Sequence, residues 1–436
     1  MCRLLLLPIK NKLLMHENLQ KELEKIYIIQ PITRENEEKY TVLHAEAISL
    51  IESAGAVYVG TIYQKVREIN AATFIGEGKL RELQETLSDL DDVTVLFNGE
   101  LSPSQTLNIS AALNDRKVID RTTLILDIFA KNARSSEGKL QVELAQLKYL
   151  YPRLKGKGAA LSRLGGGVGT RGPGETQLES DRRYIRVRLN YLESRLKELE
   201  KRRSLQTERR KKTGVKTIAL VGYTNTGKST LMNLLTSADV YVKNELFATL
   251  DPTARTFTIA DVEFLLVDTV GFLQDLPHNL IRAFHSTLES ALHADLALIV
   301  CDGTGEYDMQ IKTTLSTLEE LGFSSKQLVV VNKTENIEDK TTFPFDSVLI
   351  SAKENIGIEA LKKRILKMFS DEYLFCNLFV PYEKMSDFGK IKSHLVERKS
   401  KFSNEGQIIE AVIPTFYLHS FQEFIVGKFD PFLEKI

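Results

Sequence analysis

The residues most able to do chemistry lie in one run, Gly222-Tyr223-Thr224-Asn225-Thr226-Gly227-Lys228-Ser229. A β-type stretch, Lys216 to Val221, precedes it, and a helical pattern through Leu231, Leu234 and Leu235 follows. That is P-loop spacing in its strand–loop–helix setting. Glycines let backbone N–H groups wrap phosphates, and the helix N-terminus adds positive dipole. Lys228 is expected to reach the β- and γ-phosphates, and the Ser229 hydroxyl to bind Mg²⁺.

Further loops extend the pattern. The apolar run Leu265-Leu266-Val267 ends in Asp268-Thr269-Val270-Gly271. An Asp at a strand end can hold Mg²⁺ through water, and the Gly lets a backbone N–H approach the γ-phosphate. Between the two lies Phe247-Ala248-Thr249-Leu250-Asp251-Pro252-Thr253. Thr249 and Thr253 each qualify as a metal-binding switch threonine; either could equally be plain loop. Downstream, Leu328 to Val331 runs into Asn332-Lys333-Thr334-Glu335. A carboxylate at the fourth position accepts both the N1–H and N2–H₂ donors of guanine. Asp is usual there; Glu335 is one methylene longer, and a lost charge-assisted pair would weaken selectivity by ~1.5–3 kcal/mol unless a backbone adjustment recovers it. Ser351-Ala352-Lys353 is the expected second contact to the base. Together these loops favour GTP over ATP. Where many GTPases place a water-orienting Gln, this chain has Phe272. His278 and His285 are nearby, with surface histidines the simpler reading of both. Slow intrinsic hydrolysis is expected, with a partner ordering the missing element.

The elements that must position these loops alternate. Up to about residue 130, strand-like runs (Ile26–Gln30, Ala56–Ile62, Val93–Phe97, Val118–Ile119) alternate with helical ones (Tyr40–Ala54, Ser102–Asn114, and one entered through Gly76-Glu77-Gly78-Lys79). This implies a parallel α/β sheet. Gly138 to Leu154 carries Leu140, Leu144, Leu147 and Tyr151 at helical spacing; Ile185, Leu189, Leu192, Leu196 and Leu199 form an a/d seam. Between them Lys155 to Gly174 is too glycine-rich for regular structure. The expectation is a projecting antiparallel hairpin, its second helix running Leu178 to Lys212, about 50 Å at ~1.5 Å per residue. The divisions expected are an extension (1–25), an N-terminal α/β domain (26–130), the hairpin (131–213), a P-loop domain (214–370) and a small α+β C-terminal domain (371–436). The last has strands near Leu374–Val380 and Ile408–Pro414 around a helix near Ser386–Arg398.

Bulk composition is less specific. Lys+Arg and Asp+Glu are equal at 58 each, so overall charge selects no partner. Locally, Asp181 to Lys216 holds fourteen Lys/Arg against five Asp/Glu, a block able to bind phosphate backbones. Arg163, Arg171, Arg182 and Arg183 around the glycine-rich tip suit an RNA crevice; a solvated helix face is the plainer reading. Cys2, Cys301 and Cys376 form neither a disulfide framework nor a zinc knuckle, which fits a reducing, cytoplasmic setting. The apolar stretch Leu4 to Ile9 is too short for a signal core, and no run approaches ~20 apolar residues, so neither secretion nor a membrane span is expected.

With these residues placed, the chain resembles the HflX family of ribosome-associated GTPases over about residues 25 to 370. The resemblance rests on Gly76 to Lys79, Asn98 to Pro103, Val118 to Thr122, Glu137 to Ala145, Gly165 to Glu175, and the segments Phe247–Thr253 and Asp268–Phe272. It implies that Thr249 is the Mg²⁺-binding threonine and that an apolar residue at 272 is ordinary; Glu335 departs from the family's Asp. It further implies docking on the large ribosomal subunit, with the hairpin toward the peptidyl-transferase region, and splitting or rescue of stalled ribosomes under stress. The family's N-terminal domain is also linked to ATP, for which Gly76–Lys79 lacks P-loop spacing. A monomer is expected. The alternatives carried forward are an RNA-binding factor merely stabilised by GTP, and a GTPase acting on another RNA.

Overall fold

The structure is a computed structural model that describes residues 23–162, 173–213, 215–236, 253–269, 271–272, 292–337, 343 and 346–431. The chain divides into two compact units, Met1–Ile128 and Phe129–Ile436.

In the first unit β1 (Lys25–Ile32), α1 (Tyr40–Ala54), β2 (Val57–Lys65), α2 (Glu77–Thr86), β3 (Val93–Phe97), α3 (Pro103–Ala112) and β4 (Val118–Asp120) alternate. The strands form a parallel sheet in the order β2-β1-β3-β4. Ile28, Ile29, Val95, Leu96 and Phe97 are fully buried, as expected for strands covered on both faces. α3 starts with a capping box: Ser102 Oγ accepts from the Gln105 amide, Gln105 returns the bond, and Pro103 sits at the first turn. At the carboxyl ends of the strands lies a buried polar network. Arg121 pairs with Glu46 (2.6 Å) and donates to Asn98 Oδ1 (3.0 Å), while Asn98 Nδ2 donates to Gln30 Oε1 (2.6 Å).

In the second unit α5 (Ser136–Ser162) and α6 (Pro173–Thr213) pair side by side; α4 (Arg121–Asn132) bridges the division between the units. The ion pairs Glu137–Arg203 and Lys148–Glu193 are in antiparallel order, Glu143–Arg188 is a further pair between the helices, and Leu192 of the seam is fully buried. Both helices run further than the glycines suggested, so only 163–172 of the expected loop lies between them, outside the described residues. A helix-interior Gly costs only about 1 kcal/mol, and Pro173 at the first helical position loses no hydrogen bond.

The central sheet runs β10 (Ser347–Leu349), β9 (Lys326–Asn332), β8 (Leu296–Asp302), β5 (Lys216–Gly222), β7 (Val262–Asp268), β6 (Thr253–Ile259). All but β6 are parallel. α7 (Lys228–Thr236), α8 (Tyr307–Glu320) and α9 (Ile358–Met368) pack on it. Sequence reading gave no strand at β6. Its hairpin turn, Ala260-Asp261, has both residues at positive φ (49° and 66°), the conformation that suits a two-residue β-turn.

The chain closes with an antiparallel sheet, β12 (Val396–Phe402), β13 (Gly406–Pro414), β11 (Tyr373–Pro381), β14 (Ile425–Lys428). Here the expected helix Ser386–Arg398 is corrected: α10 covers only Met385–Ile391, and Val396–Phe402 is an edge strand on β13. Ser403 to Glu405 turn the chain back, and the charges of β12 suit an exposed edge.

Removing one partner from the buried Arg121–Glu46 pair leaves an uncompensated charge. Glu46→Ala is therefore expected to destabilise the protein by about 3–5 kcal/mol. The chain has no Trp, so urea unfolding is followed by circular dichroism; a loss under about 1 kcal/mol refutes the assignment.

Candidate functional site

β5 delivers the chain to the P-loop, and α7 leaves it with Lys228 at its first turn. Gly227 has φ 88° and lies so close to Asn332 Nδ2 that a Cβ would collide with it. Lys228 is only 7% exposed. Its ammonium donates to the carbonyls of Tyr223 and Gly222, the latter at 3.1 Å. Burial pushes its pKa from 10.5 down to about 8, partly opposed by the Asp268 charge. Thr226 Oγ1 donates to Tyr223 O (3.0 Å) and shapes the loop; Thr224 is buried and Asn225 exposed, at φ 59°.

Beside the lysine, Ser229 Oγ donates to Asp268 Oδ2 (2.9 Å). A hydroxyl and a carboxylate are hard oxygen donors suited to Mg²⁺, which keeps waters and binds phosphates as well. Among the described residues no cluster of three His, Cys, Asp or Glu could hold a metal. Thr269 Oγ1 donates to Leu220 O (2.7 Å) and ties the segment after β7 to β5. Gly271 rests on the P-loop: a Cβ there would lie 2.8 Å from Thr224 Cα and 2.9 Å from Lys228 Nζ. Phe272 is 3% exposed and packs in a core cluster with Tyr223, Ala297 and Phe323. Two backbone bonds, Thr224 N to Phe272 O (2.8 Å) and Phe272 N to Gly222 O (2.9 Å), fasten it to the P-loop.

The expected base loop closes the other side. Asn332 Nδ2 donates to Thr226 O (2.8 Å), and Asn332 Oδ1 accepts from the Ala352 amide (2.9 Å). One side chain thus clamps three loops. Lys333, at φ 63°, pairs with Asp302 at 2.6 Å. Burial works to raise the Asp302 pKa, but bonds from Lys333 and Thr304 outweigh it and hold the carboxylate below its usual range. Thr334 and Glu335 lie in a 3-10 turn, with Glu335 exposed. Ser351 Oγ accepts from the Glu354 amide (3.0 Å); Lys353 is exposed.

Gly222, Tyr223, Thr224, Asn225, Thr226, Gly227, Lys228, Ser229, Asp268, Thr269, Gly271, Asn332, Lys333, Thr334, Glu335, Ser351, Ala352 and Lys353 are all described, at or just beyond the carboxyl ends of β5, β7, β9 and β10. Phe247, Ala248, Thr249, Leu250, Asp251, Val270, Arg163, Arg171, His278 and His285 lie outside the described residues. Thr253 opens β6 directly opposite Asp268. Arg182 is half-buried 5.7 Å from the Tyr151 ring centre, and Arg183 is exposed. Sequence reading missed Asp302; its place at the end of a buried strand beside the base loop was the available signal.

Three families match successive stretches: "GTP-binding GTPase N-terminal" over residues 43–130, "GTP-binding GTPase Middle Region" over 132–210, and "50S ribosome-binding GTPase" over 217–333. GTPase HflX of Caldanaerobacter subterraneus subsp. tengcongensis is 44% identical, covering 94% of this chain and 96% of its own. The chain belongs to the HflX family. The Escherichia coli HflX is 42% identical over 80% of this chain and 83% of its own. A GTP-binding protein from Sulfolobus solfataricus, solved with GDP, is 26% identical, covers 80% of this chain and 99% of its own, and has a TM-score of 0.43. The chain is thus a P-loop GTPase of HflX type.

A bound polyphosphate stabilises charged Lys228. In the free protein this group loses its proton near pH 8, not 10.5. Between those values GDP binding is expected to take up about one proton, so affinity falls as pH rises through 8, by at most about tenfold per unit. Calorimetry at pH 8.5 in two buffers of different ionisation enthalpy reads this directly; absence of proton uptake refutes it.

Proposed function

We propose that this HflX-family GTPase docks on the large ribosomal subunit in its GTP form, and that hydrolysis there releases it, in the service of splitting or rescuing stalled ribosomes. The observation that carries the reading is the pairing, in one unit, of a P-loop site with a long two-helix hairpin whose second helix is basic. The match of residues 217–333 to "50S ribosome-binding GTPase" supports the choice of subunit.

In this reading Lys228 and the amides of Tyr223 to Ser229 hold the β- and γ-phosphates. Ser229, Thr249 and Asp268 would hold Mg²⁺, which would neutralise phosphate charge. The Gly271 amide meets the γ-phosphate. Asn332, Lys333, Glu335 and Ser351 to Lys353 take the base. Water attacks the γ-phosphorus, the bond to the β-phosphate oxygen breaks, and GDP and phosphate leave. Arg163, Arg171, Arg182 and Arg183 meet RNA phosphates near the hairpin tip. The chain works as a cytoplasmic monomer built of an N-terminal extension (1–25), an N-terminal α/β domain (26–130), a helical hairpin (131–213), a P-loop GTPase domain (214–370) and a small C-terminal domain (371–436). We assign no residue to ATP in the N-terminal part: Lys79 pairs with Glu82 at 2.7 Å.

Co-sedimentation with ribosomal subunits should retain the protein with a non-hydrolysable GTP analogue and lose it with GDP. Lys228→Ala should abolish that dependence; ribosome action surviving in this variant favours the nucleotide-stabilised RNA-binding alternative. Deleting 155–174 should spare nucleotide binding and remove stimulation of GTP hydrolysis by large subunits at least tenfold. Undiminished stimulation would falsify the docking role.

A further inference from the structure

Glu335 stands where the family resemblance implies Asp, and the surrounding loop bears on what the extra methylene does. The base loop has no freedom to retreat. Asn332 is clamped to Thr226 and Ala352, and Gly227 abuts its amide. Lys333 is held by Asp302. The Thr334 amide donates to Ile350 O (3.2 Å), the Asn336 amide to Lys333 O (3.1 Å) and the Ile337 amide to Thr334 O (3.3 Å). The Cα of Glu335 is therefore fixed on a closed 3-10 turn anchored on both sides. Its side chain is exposed and makes no hydrogen bond or ion pair among the described residues.

An Asp on this turn would face both guanine donors, N1–H and N2–H₂, with one carboxylate oxygen each. Glu335 carries its carboxylate about 1.5 Å further on, one carbon–carbon bond. With the turn pinned, the longer side chain cannot put its carboxylate where an Asp carboxylate would lie; the arrangement proposed here keeps one oxygen on N1–H and gives up the contact to N2–H₂. The N1–H donor is common to guanine and hypoxanthine. Adenine offers an acceptor at N1 and is still rejected by the carboxylate.

From this we propose that the chain accepts hypoxanthine nucleotides almost as readily as guanine nucleotides, so that ITP is a second substrate. The inference rests on the reading of residue 335 as the base reader. A site that bonds N2–H₂ rejects a base lacking it because its acceptor is left unpaired; a site that never bonds it has no such penalty.

Calorimetric titration of the full chain with Mg²⁺ and GDP, IDP or ADP tests both layers, using the native protein, Glu335→Asp and Glu335→Ala. Native protein should bind GDP within about fivefold of IDP, and ADP more than about 100-fold more weakly. Glu335→Asp should widen the GDP/IDP ratio about tenfold, through tighter GDP with IDP little changed. Single-turnover ITP hydrolysis by the native protein should run within about fivefold of GTP. A native GDP/IDP ratio above about fiftyfold, or one that Glu335→Asp leaves unchanged or narrows, overturns the relaxed selectivity. Unaltered GDP and ADP binding in Glu335→Ala overturns the underlying base-reader assignment instead. Since Glu335 is exposed, both variants are expected to fold.

Discussion

Lys228 places an ammonium ion where water scarcely reaches, and the partners the P-loop gives it are the carbonyls of Gly222 and Tyr223. Burying a charge this way is unfavourable unless an anion shares the site, and the depressed pKa is the measure of that tension. The rest of the centre is arranged around it. Gly271 lies against the ammonium, Ser229 and Asp268 stand beside it, and Phe272 is fastened to the loop that holds it. A polyphosphate entering the loop relieves the charge and must at the same time renegotiate contacts with the segment after β7. In the proposed function this one side chain would couple nucleotide binding to shape change, which is what a switch requires.

That coupling has a path outward. The β6–β7 hairpin lies in sequence between the expected metal-binding segment 247–253 and the segment 268–272, and its tip residue Asp261 pairs with Arg398 of β12 at 2.7 Å. Deeper in, the Phe264 ring meets Phe369 and Tyr373 at 5.5 and 6.3 Å between centres, and Val412 belongs to the same core. Glu372, just before β11, pairs with Lys216 and Lys326. The C-terminal sheet therefore shares a core with the nucleotide-binding sheet. A movement of the hairpin is resisted or transmitted by that sheet rather than absorbed in a linker.

Loops defined by fixed residue types at fixed spacing were legible in the sequence, because phosphate and base chemistry leaves few alternatives at Gly227, Lys228, Ser229, Asp268 and Asn332. The parallel sheet of the first unit was legible from strand–helix alternation. What depended on non-local pairing was not. β6 carries alternating exposed residues and no long apolar run; only β7 beside it makes it a strand. The Asn332 clamp joins residues more than a hundred apart in the chain, and the motif alone does not reveal that its amide is spent on loop–loop bonds. The hairpin helices outran their expected ends because a glycine within a helix costs only about 1 kcal/mol and a proline at the first helical position loses no hydrogen bond.

The misread helix after residue 386 has a deeper cause. Pro381, Met385 and Phe388 recur in kind as Pro414, Leu418 and Phe421. Each set belongs to a strand, a 3-10 turn, a short helix, a second 3-10 turn and a closing strand. The closing strands are exchanged: β12 pairs with β13, and β14 pairs with β11. Neither half has a complete sheet without the other, and their apolar residues, Cys376, Leu378 and Phe388 from one, Ile409, Ala411 and Phe421 from the other, make one core. Local pattern therefore underdetermines where α10 must stop. The stop is imposed by β13, which takes Val396–Phe402 as its neighbour, and this sheet is expected to form as a single cooperative step rather than half by half.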